Sequence, residues 1–381
     1  MKAEVAFTPL LVVARALKPY TTPRRWRART RLLYLHADGD TLTLSATTGD
    51  ETASVPLAGA VSDGWCALPP DTLIKALTAI KPAGKSAQVA TVTLHGEAGR
   101  LYLSVGDGPA VGLDTDTPPG NPTVAARPEP HERPVTCGPV ADWCDLVGGV
   151  ATAAGREAAR PELAVVRLLR DHPQVVLMVE ATDSYRIHRG IWGDPDGDPV
   201  DVRMPADAAR RAVRLLHTLD PAGQVGVHAD DSHVVWRTDR VRLAAKNGGR
   251  AFPNLEKIRE DVLDDATSTF SVNRIALVAA LNTAHGLTAT SRYPRVRLEP
   301  GRAGVLDVVV RADSGVPMHT TPVAIAGLAG PARPLILKPA FAQQVLTFLD
   351  GDTVAVHAIA GRLPIYVRGP RRHAILMQIA G

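Results

Sequence analysis

Aromatic side chains are scarce in this 381-residue chain, at 4%, so its cores must be packed with Val, Leu, Ile and Ala. Cysteine is scarcer still. Cys66, Cys137 and Cys144 are the only three, with no CxxC spacing and no histidine cluster beside them. They fit reduced thiols of a cytoplasmic protein, serving as small half-buried hydrophobes; a metal or nucleophile role is the competing reading. No apolar run reaches the length of a membrane span, and the N-terminal stretch MKAEVAFTPLLVVARAL reads as a core helix, not a signal peptide. Lysine is outnumbered, eight against thirty-five arginines, the usage of a GC-rich genome. A strong excess of one charge is also missing. The formal charge is +4 with a pI near 9.0, too mild to establish a nucleic-acid partner, although basic residues can still gather on one surface.

The usual catalytic signatures are absent: there is no P-loop, no GxGxxG after a strand, no GxSxG and no HExxH. The twelve histidines are scattered without an i, i+4 pair on a helix. The run Gly193-Asp194-Pro195-Asp196-Gly197-Asp198-Pro199 fails as a calcium loop, because the twelfth position from Asp194 is Pro205 and not glutamate. It reads as a turn between strands. No cofactor and no metal are expected.

What is present is a repeat of about 130 residues. Amphipathic segments start at Thr8 (Leu10, Val13, Ala14, Leu17), near Gly138 (Val140, Trp143, Leu146, Val150) and at Ser271 (Ile275, Val278, Leu281). Their spacing predicts one buried helical face each, with Thr8 and Ser271 as N-caps. A second helix recurs from Pro69 to Ile80, Pro205 to Leu216 and Pro339 to Leu349, each opened by a proline suited to a first turn. Strand-like runs follow every helix, and Asp38-Gly39 marks a hairpin. The chain is therefore expected to be α+β, with three similar domains at 1–133, 134–265 and 266–381, each carrying two helices packed on sheet. The Pro-rich stretch Thr117 to Pro134 reads as the first linker, and the second falls near Asp261 to Ala266.

Three local stretches then stand out. Ala181-Thr182-Asp183-Ser184-Tyr185-Arg186-Ile187 follows the β-like run Val175 to Val179. Phe252-Pro253-Asn254-Leu255-Glu256-Lys257-Ile258 closes the middle third. Ala374-Ile375-Leu376-Met377-Gln378-Ile379 ends the chain. At matching positions these resemble the middle-domain motif (usually Ala-Thr-Asp-Gly-His-Arg-Leu), the Phe/Tyr-Pro-Asp segment and the terminal strand (usually Val-Val-Met-Pro-Met) of the bacterial β sliding clamp, the processivity subunit of DNA polymerase III. The resemblance covers the whole chain in order.

It implies the DNA clamp fold and a head-to-tail homodimer ring around duplex DNA, cytoplasmic and nucleoid-associated. It implies no catalysis, no cofactor and no membrane. DNA contact would be sequence-independent, through phosphates. A peptide pocket would receive short linear motifs from the polymerase α subunit, the clamp loader and repair proteins. Carried over residue by residue, its walls would be Thr182, Ser184, Tyr185, Arg186 and Ile187, then Pro253 and Ile258, then Pro364, Ile375, Met377 and Ile379. Without the resemblance these are ordinary strand and core residues. For DNA, Arg24, Arg25, Arg27 and Arg29 around Trp26 form a basic loop, and Arg210, Arg211 and Arg214 lie opposite the apolar face Ala209, Ala212, Val213 and Leu216; the competing reading is a solvated charged face.

This sequence departs from the family pattern at Ser184, Tyr185 and Gln378, which stand where glycine, histidine and proline are usual. Those departures put the standard peptide preference in doubt and suggest, as an alternative, a specialised paralogue: an antibiotic-evading copy, a phage or plasmid clamp, or a regulator. An α+β enzyme using Asp183 and Arg186 is a third reading, but it lacks a base, nucleophile or metal set. His188, beside the motif, is expected to be exposed.

Overall fold

The computed structural model describes residues 1–21, 32–82, 89–116, 134–156, 159–172, 175–193, 197–248, 251–301, 304–312, 315–331, 333–359 and 364–379. One element order recurs three times among them. The first pass runs β1 (Lys2–Ala6), α1 (Phe7–Leu17), β2 (Leu33–Asp38), β3 (Thr41–Thr47), β4 (Glu51–Ser62), β5 (Gly64–Leu68), α2 (Pro70–Ala79), β6 (Thr91–Glu97), β7 (Arg100–Val105) and β8 (Val111–Asp114). The second runs β9 (Thr136–Pro139), α3 (Val140–Ala151), β10 (Val165–Arg170), β11 (Leu177–Thr182), β12 (Arg186–Trp192), β13 (Val200–Pro205), α4 (Ala206–Leu219), β14 (Gln224–Ala229), β15 (His233–Arg237) and β16 (Arg242–Lys246). After an additional helix, α5 (Leu255–Asp264), the third runs β17 (Ser268–Asn273), α6 (Arg274–Leu287), β18 (Val296–Gly301), β19 (Val305–Arg311), β20 (Pro317–Ala329), β21 (Leu335–Leu337), α7 (Pro339–Phe348), β22 (Thr353–Ala358), β23 (Ile365–Arg368) and β24 (Arg372–Leu376).

By contacts the chain forms two compact units, Met1–Asp145 with Val202–Gly249, and Leu146–Asp201 with Arg250–Gly381. The first unit holds a twelve-stranded sheet whose main path is β8-β7-β6-β1-β4-β16-β15-β14-β9, with β2, β3 and β5 branching from it. In β1, Ala3 and Val5 point inward while Lys2 and Glu4 are exposed, as the two-residue period of a half-covered strand requires. Gly39, at φ +58°, lets β2 turn directly into β3, since a Cβ is unfavourable there. Leu10, Val13, Ala14 and Leu17 of α1 are all buried, as the periodicity predicts.

The second unit holds the other twelve-stranded sheet, ordered β13-β10-β11-β12-β24-β23-β22-β17-β20-β19-β18-β21. Here α6 differs from expectation. Its cap is Asn273, whose side chain accepts from the Ala276 N–H at 2.9 Å, and not Ser271. Starting later rotates the buried face onto Leu277, Ala280, Leu281 and Ala284, leaving Ile275 exposed at 59%. Thr8 likewise lies inside α1, which begins at Phe7 without a side-chain cap. The expected second linker is partly occupied by α5, capped by Asn254 on the Lys257 N–H. Of the first linker, residues 117–133 fall outside the described residues, as do 194–196 of the Asp-rich run between β12 and β13.

One regularity links the repetitions. The fourth strand of the first pass, β4, pairs with the last strand of the second, β16, through Glu51↔Ala245 to Ser54↔Arg242. The fourth strand of the second pass, β12, pairs with the last strand of the third, β24, through Arg186↔Leu376 to Gly190↔Arg372. Among the other edges of the described residues, two belong to the same kinds of strand, a fourth and a last. The first part of β20, residues 317–324, pairs on one side only, with β19, and Pro317 to Thr320 are exposed. The last strand of the first pass, β8, ends its sheet's path.

Candidate functional site

The motif stretch is the turn between β11 and β12. Thr182 Oγ1 donates to the Arg186 carbonyl at 2.8 Å and accepts the Ser184 N–H at 3.1 Å. Asp183 Oδ1 accepts the N–H groups of Tyr185 and Arg186, each at 3.0 Å, and Oδ2 accepts from Arg186 Nε at 3.1 Å. Threonine and aspartate are suited to this, because short side-chain acceptors can close a turn on their own backbone. The same closure forces Ser184 to φ +73°, a left-handed conformation that glycine adopts without cost. Ser184 is exposed, and its Oγ accepts from Arg160 Nη1 at 2.8 Å.

Arg186 is buried, at 8% exposure. Beyond Asp183 it donates to the Gln344 side-chain oxygen and to the Thr152 carbonyl, the latter at 2.8 Å. Its guanidinium carbon lies 4.6 Å from the centre of the Phe341 ring, and Lys338 Nζ lies 4.4 Å from the same ring. Burial lowers the Arg186 pKa and Asp183 opposes that shift, so this residue is a structural anchor of the turn as well as part of its wall. Tyr185 is 55% exposed, with its ring 6.0 Å from that of Phe341. Lys338, Phe341 and Gln344, contributed by the start of α7, were not among the sequence-based candidates. The available signal was a phenylalanine in the first turn of a helix in an aromatic-poor chain.

His188 is fully buried, contrary to expectation. Its ring stacks on Phe348 at 4.4 Å, and Nδ1 lies 3.0 Å from the Gly149 carbonyl. Burial pushes its pKa down to about 3, so it is neutral near pH 7. The alternation of β12 predicts one exposed face, but the Phe348 ring of α7 and the Gly149 carbonyl of α3 close over the face that carries His188.

The C-terminal tail lies beside the motif. Met377 donates its N–H to the Tyr185 carbonyl at 2.8 Å, and Ile379 donates to the Ile336 carbonyl at 3.0 Å. The expected wall therefore divides into two kinds of residue. Ile187 and Ile375 are buried in an apolar cluster with Leu255, Val262, Ile359 and Tyr366, against which Phe252 and Ile258 pack. Thr182 is buried as well. Ser184 and Tyr185 are exposed, while Met377, Ile379, Pro253 and Pro364 are half-buried. Tyr185 links the helix and the tail: its ring lies 6.0 Å from that of Phe341 and its carbonyl accepts the Met377 N–H.

The arginines of α4 are not equivalent. Ala209, Ala212 and Leu216 are buried on the opposite face, as predicted, and Val213 is half-buried. Arg210 pairs with Asp207 at 2.8 Å. Arg211 makes a two-pronged contact with the buried Glu51, with Nε 2.8 Å from the carboxylate. Arg214 is exposed. Arg24, Arg25, Arg27 and Arg29 lie outside the described residues. Among the described residues no group of three His, Cys, Asp or Glu side chains could hold a metal, and no helix is long and apolar enough to cross a membrane. Cys66 and Cys144 are buried and Cys137 is exposed; burial pushes the Cys66 thiol up to about 12 and that of Cys144 to about 11.

Helices on two large antiparallel sheets, with the element order repeated along the full chain, make this the sliding-clamp fold. The solved structures that share it are DNA polymerase III β subunits. They include the sliding clamp of Bacillus subtilis (TM-score 0.87, 15% identity, covering 100% of this chain and 99% of that one). The β subunit from Streptococcus pyogenes matches with a TM-score of 0.86 at 14% identity, over 100% of both chains. A Pseudomonas aeruginosa clamp bound to griselimycin matches with a TM-score of 0.85 at 16% identity, also over 100% of both. No protein-family model matches the sequence, and no curated protein sequence matches it.

Proposed function

We propose that this chain is a non-catalytic DNA sliding clamp: a ring of two copies that encircles duplex DNA in the cytoplasm and tethers a replicative polymerase and other partners through a peptide groove. The observation that carries the reading is the full-length likeness to clamp structures at both ends of the alignment. The grouping of Tyr185 with Phe341 and Met377 supports it, and the peptide groove would lie there. These side chains join apolar surface to the fixed polar groups of the motif turn, the combination that recognises a short peptide, and Met377 offers an adaptable contact for several partners.

The domains of such a clamp would be 1–133, 134–265 and 266–381, following the repeated element order. The open edges of β20 and β8 support ring closure. If β20 of one copy paired with β8 of the other, each copy would repeat between chains the fourth-to-last pairing seen twice within a chain. Exposed Val316, Met318 and Ile275 would then find cover. Arg214 would face DNA phosphates, whereas Arg211 is committed to Glu51; Arg24, Arg25, Arg27 and Arg29 would add to the DNA contact. Contact should be weak and salt-sensitive, as sliding needs.

The test is calorimetric titration with griselimycin, the ligand named for the Pseudomonas clamp, on the wild type and on Met377→Ala. Binding that weakens in the variant supports the groove. Absence of binding by a dimeric wild-type protein moves the reading to a clamp of altered partner preference, in which Ser184 and Tyr185 crowd the groove. A monomer that is not retained on circular duplex DNA overturns the clamp reading.

A further inference from the structure

A second site lies where the tail leaves the groove. Four arginines, Arg292, Arg295, Arg297 and Arg311, line a cleft of about 520 Å³ together with Tyr293 and Ile336. That volume is in the range of real ligand sites. We propose that this cleft binds an acidic peptide segment, namely the acidic flank of a partner whose apolar residues occupy the Tyr185–Phe341–Met377 groove.

The arginines have two sources. Arg297 and Arg311 rise from β18 and β19, at alternating positions that face away from the buried side of the sheet. Arg292 and Arg295 come from the segment before β18, and both are exposed. Their guanidinium carbons lie 5.3 and 6.0 Å from the Tyr293 ring centre, which orients them without neutralising them. Among the described residues neither reaches a carboxylate. Glu299 is the one acid engaged by the set: Arg297 Nε lies 2.9 Å and Arg311 Nη2 3.6 Å from its Oε1. Asp307 lies opposite Glu299 on the same face, so among the described residues four guanidinium groups still face two carboxylates and the cleft is net positive. Guanidinium groups suit carboxylates because their planar donors match both oxygens.

The choice of a peptide over a nucleic acid rests on continuity and size. Ile379 hydrogen-bonds to Ile336, which lines the cleft, while Met377 hydrogen-bonds to Tyr185 in the groove. Three residues of tail therefore join the two sites. Tyr293 and Ile336 make part of the wall apolar, suited to a chain of mixed side chains. The origin of the acidic segment rests on the peptide-groove reading; the charge chemistry of the cleft does not.

The experiment is fluorescence anisotropy on the full-length protein at about 50 mM salt, where exposed charges are weakly screened. The probes are fluorescein-labelled hexaglutamate and an equally labelled hexathymidylate. The variants are Arg292→Gln/Arg295→Gln, both exposed positions, and Met377→Ala. We expect hexaglutamate to bind, to weaken about tenfold or more in the double variant, and to be unaffected by Met377→Ala. No hexaglutamate binding, or binding unchanged by the double variant, overturns the proposal. Tighter binding of hexathymidylate at the same arginines overturns it too and makes the cleft a nucleic-acid site. Griselimycin titration reports the groove separately, so failure of one site is not confused with failure of the other.

Discussion

Met377 and Tyr185 are joined by a backbone hydrogen bond of 2.8 Å, immediately beyond the five-residue register in which β24 pairs with β12. Residues 377–379 thus follow on from β24 and run beside the motif turn. The position of the Met377 side chain depends on the motif turn, and the turn depends on Arg186.

Arg186→Ala should therefore be among the more damaging single changes in the second unit. It removes donors to Asp183, Gln344 and the Thr152 carbonyl and strands a half-buried carboxylate. A loss of about 2–4 kcal/mol is expected, read as a lower denaturant midpoint. Arg186→Lys should recover little, because a single ammonium cannot reproduce the fork.

Ser184→Gly should move stability the other way. The left-handed backbone at φ +73° costs a non-glycine residue about 1 kcal/mol, while the lost contact with exposed Arg160 is worth less. A midpoint unchanged or lowered relative to wild type would show that the turn is not strained at this residue. The same variant should bind griselimycin more tightly if the serine crowds the groove.

His188 makes stability fall on acidification. Its pKa is about 3 in the fold, against an ordinary value near 6.5, so below about pH 6.5 the unfolded chain takes up a proton that the folded chain does not. Nothing is lost above that pH. Below it the loss grows, at up to about 1.4 kcal/mol per pH unit, until the folded group also titrates near pH 3. His373, pushed down to about 4 mainly by burial, adds to the slope between about 6.5 and 4. Denaturant midpoints measured from pH 7.5 to 4.5 should decline less steeply in His188→Asn than in wild type.

Met318→Asp, in the part of β20 that pairs only with β19, should convert the proposed dimer into a monomer without unfolding it. Met318 is exposed at 58%, so the isolated chain tolerates the charge, whereas a strand interface does not. Light scattering after size exclusion reads the mass directly. A Met318→Asp dimer as tight as the wild type would place the interface elsewhere.

On α4, Arg211→Ala and Arg214→Ala should separate. Losing the two-pronged contact with Glu51 should cost about 1–2 kcal/mol of stability. Arg214→Ala should leave the midpoint alone and shorten retention on circular duplex DNA, most visibly at low salt.

Hydrophobic spacing by itself determined much of the local structure. The buried faces of α1, α3 and α4, the Asp38-Gly39 hairpin and the strands β10, β11, β14, β15 and β19 are all readable, because each is dictated by neighbours within a few turns or a few pleats; a proline opens α2 and α7 as expected, whereas Pro205 caps α4 from the end of β13. The motif stretches were readable as well, since Thr182 and Asp183 close a turn with their own backbone. What only the tertiary structure decided involves partners far apart in sequence. Arg211 is committed to a glutamate 160 positions away, Phe341 and Lys338 come to the motif from α7 and the residue before it, and Phe348 of the same helix stacks on His188 and buries it. The cap at Asn273 turned α6 and left Ile275 outside. Local patterns cannot foresee these outcomes, because burial is a property of what packs against a residue, and the packing partners are chosen by the sheet and not by the segment.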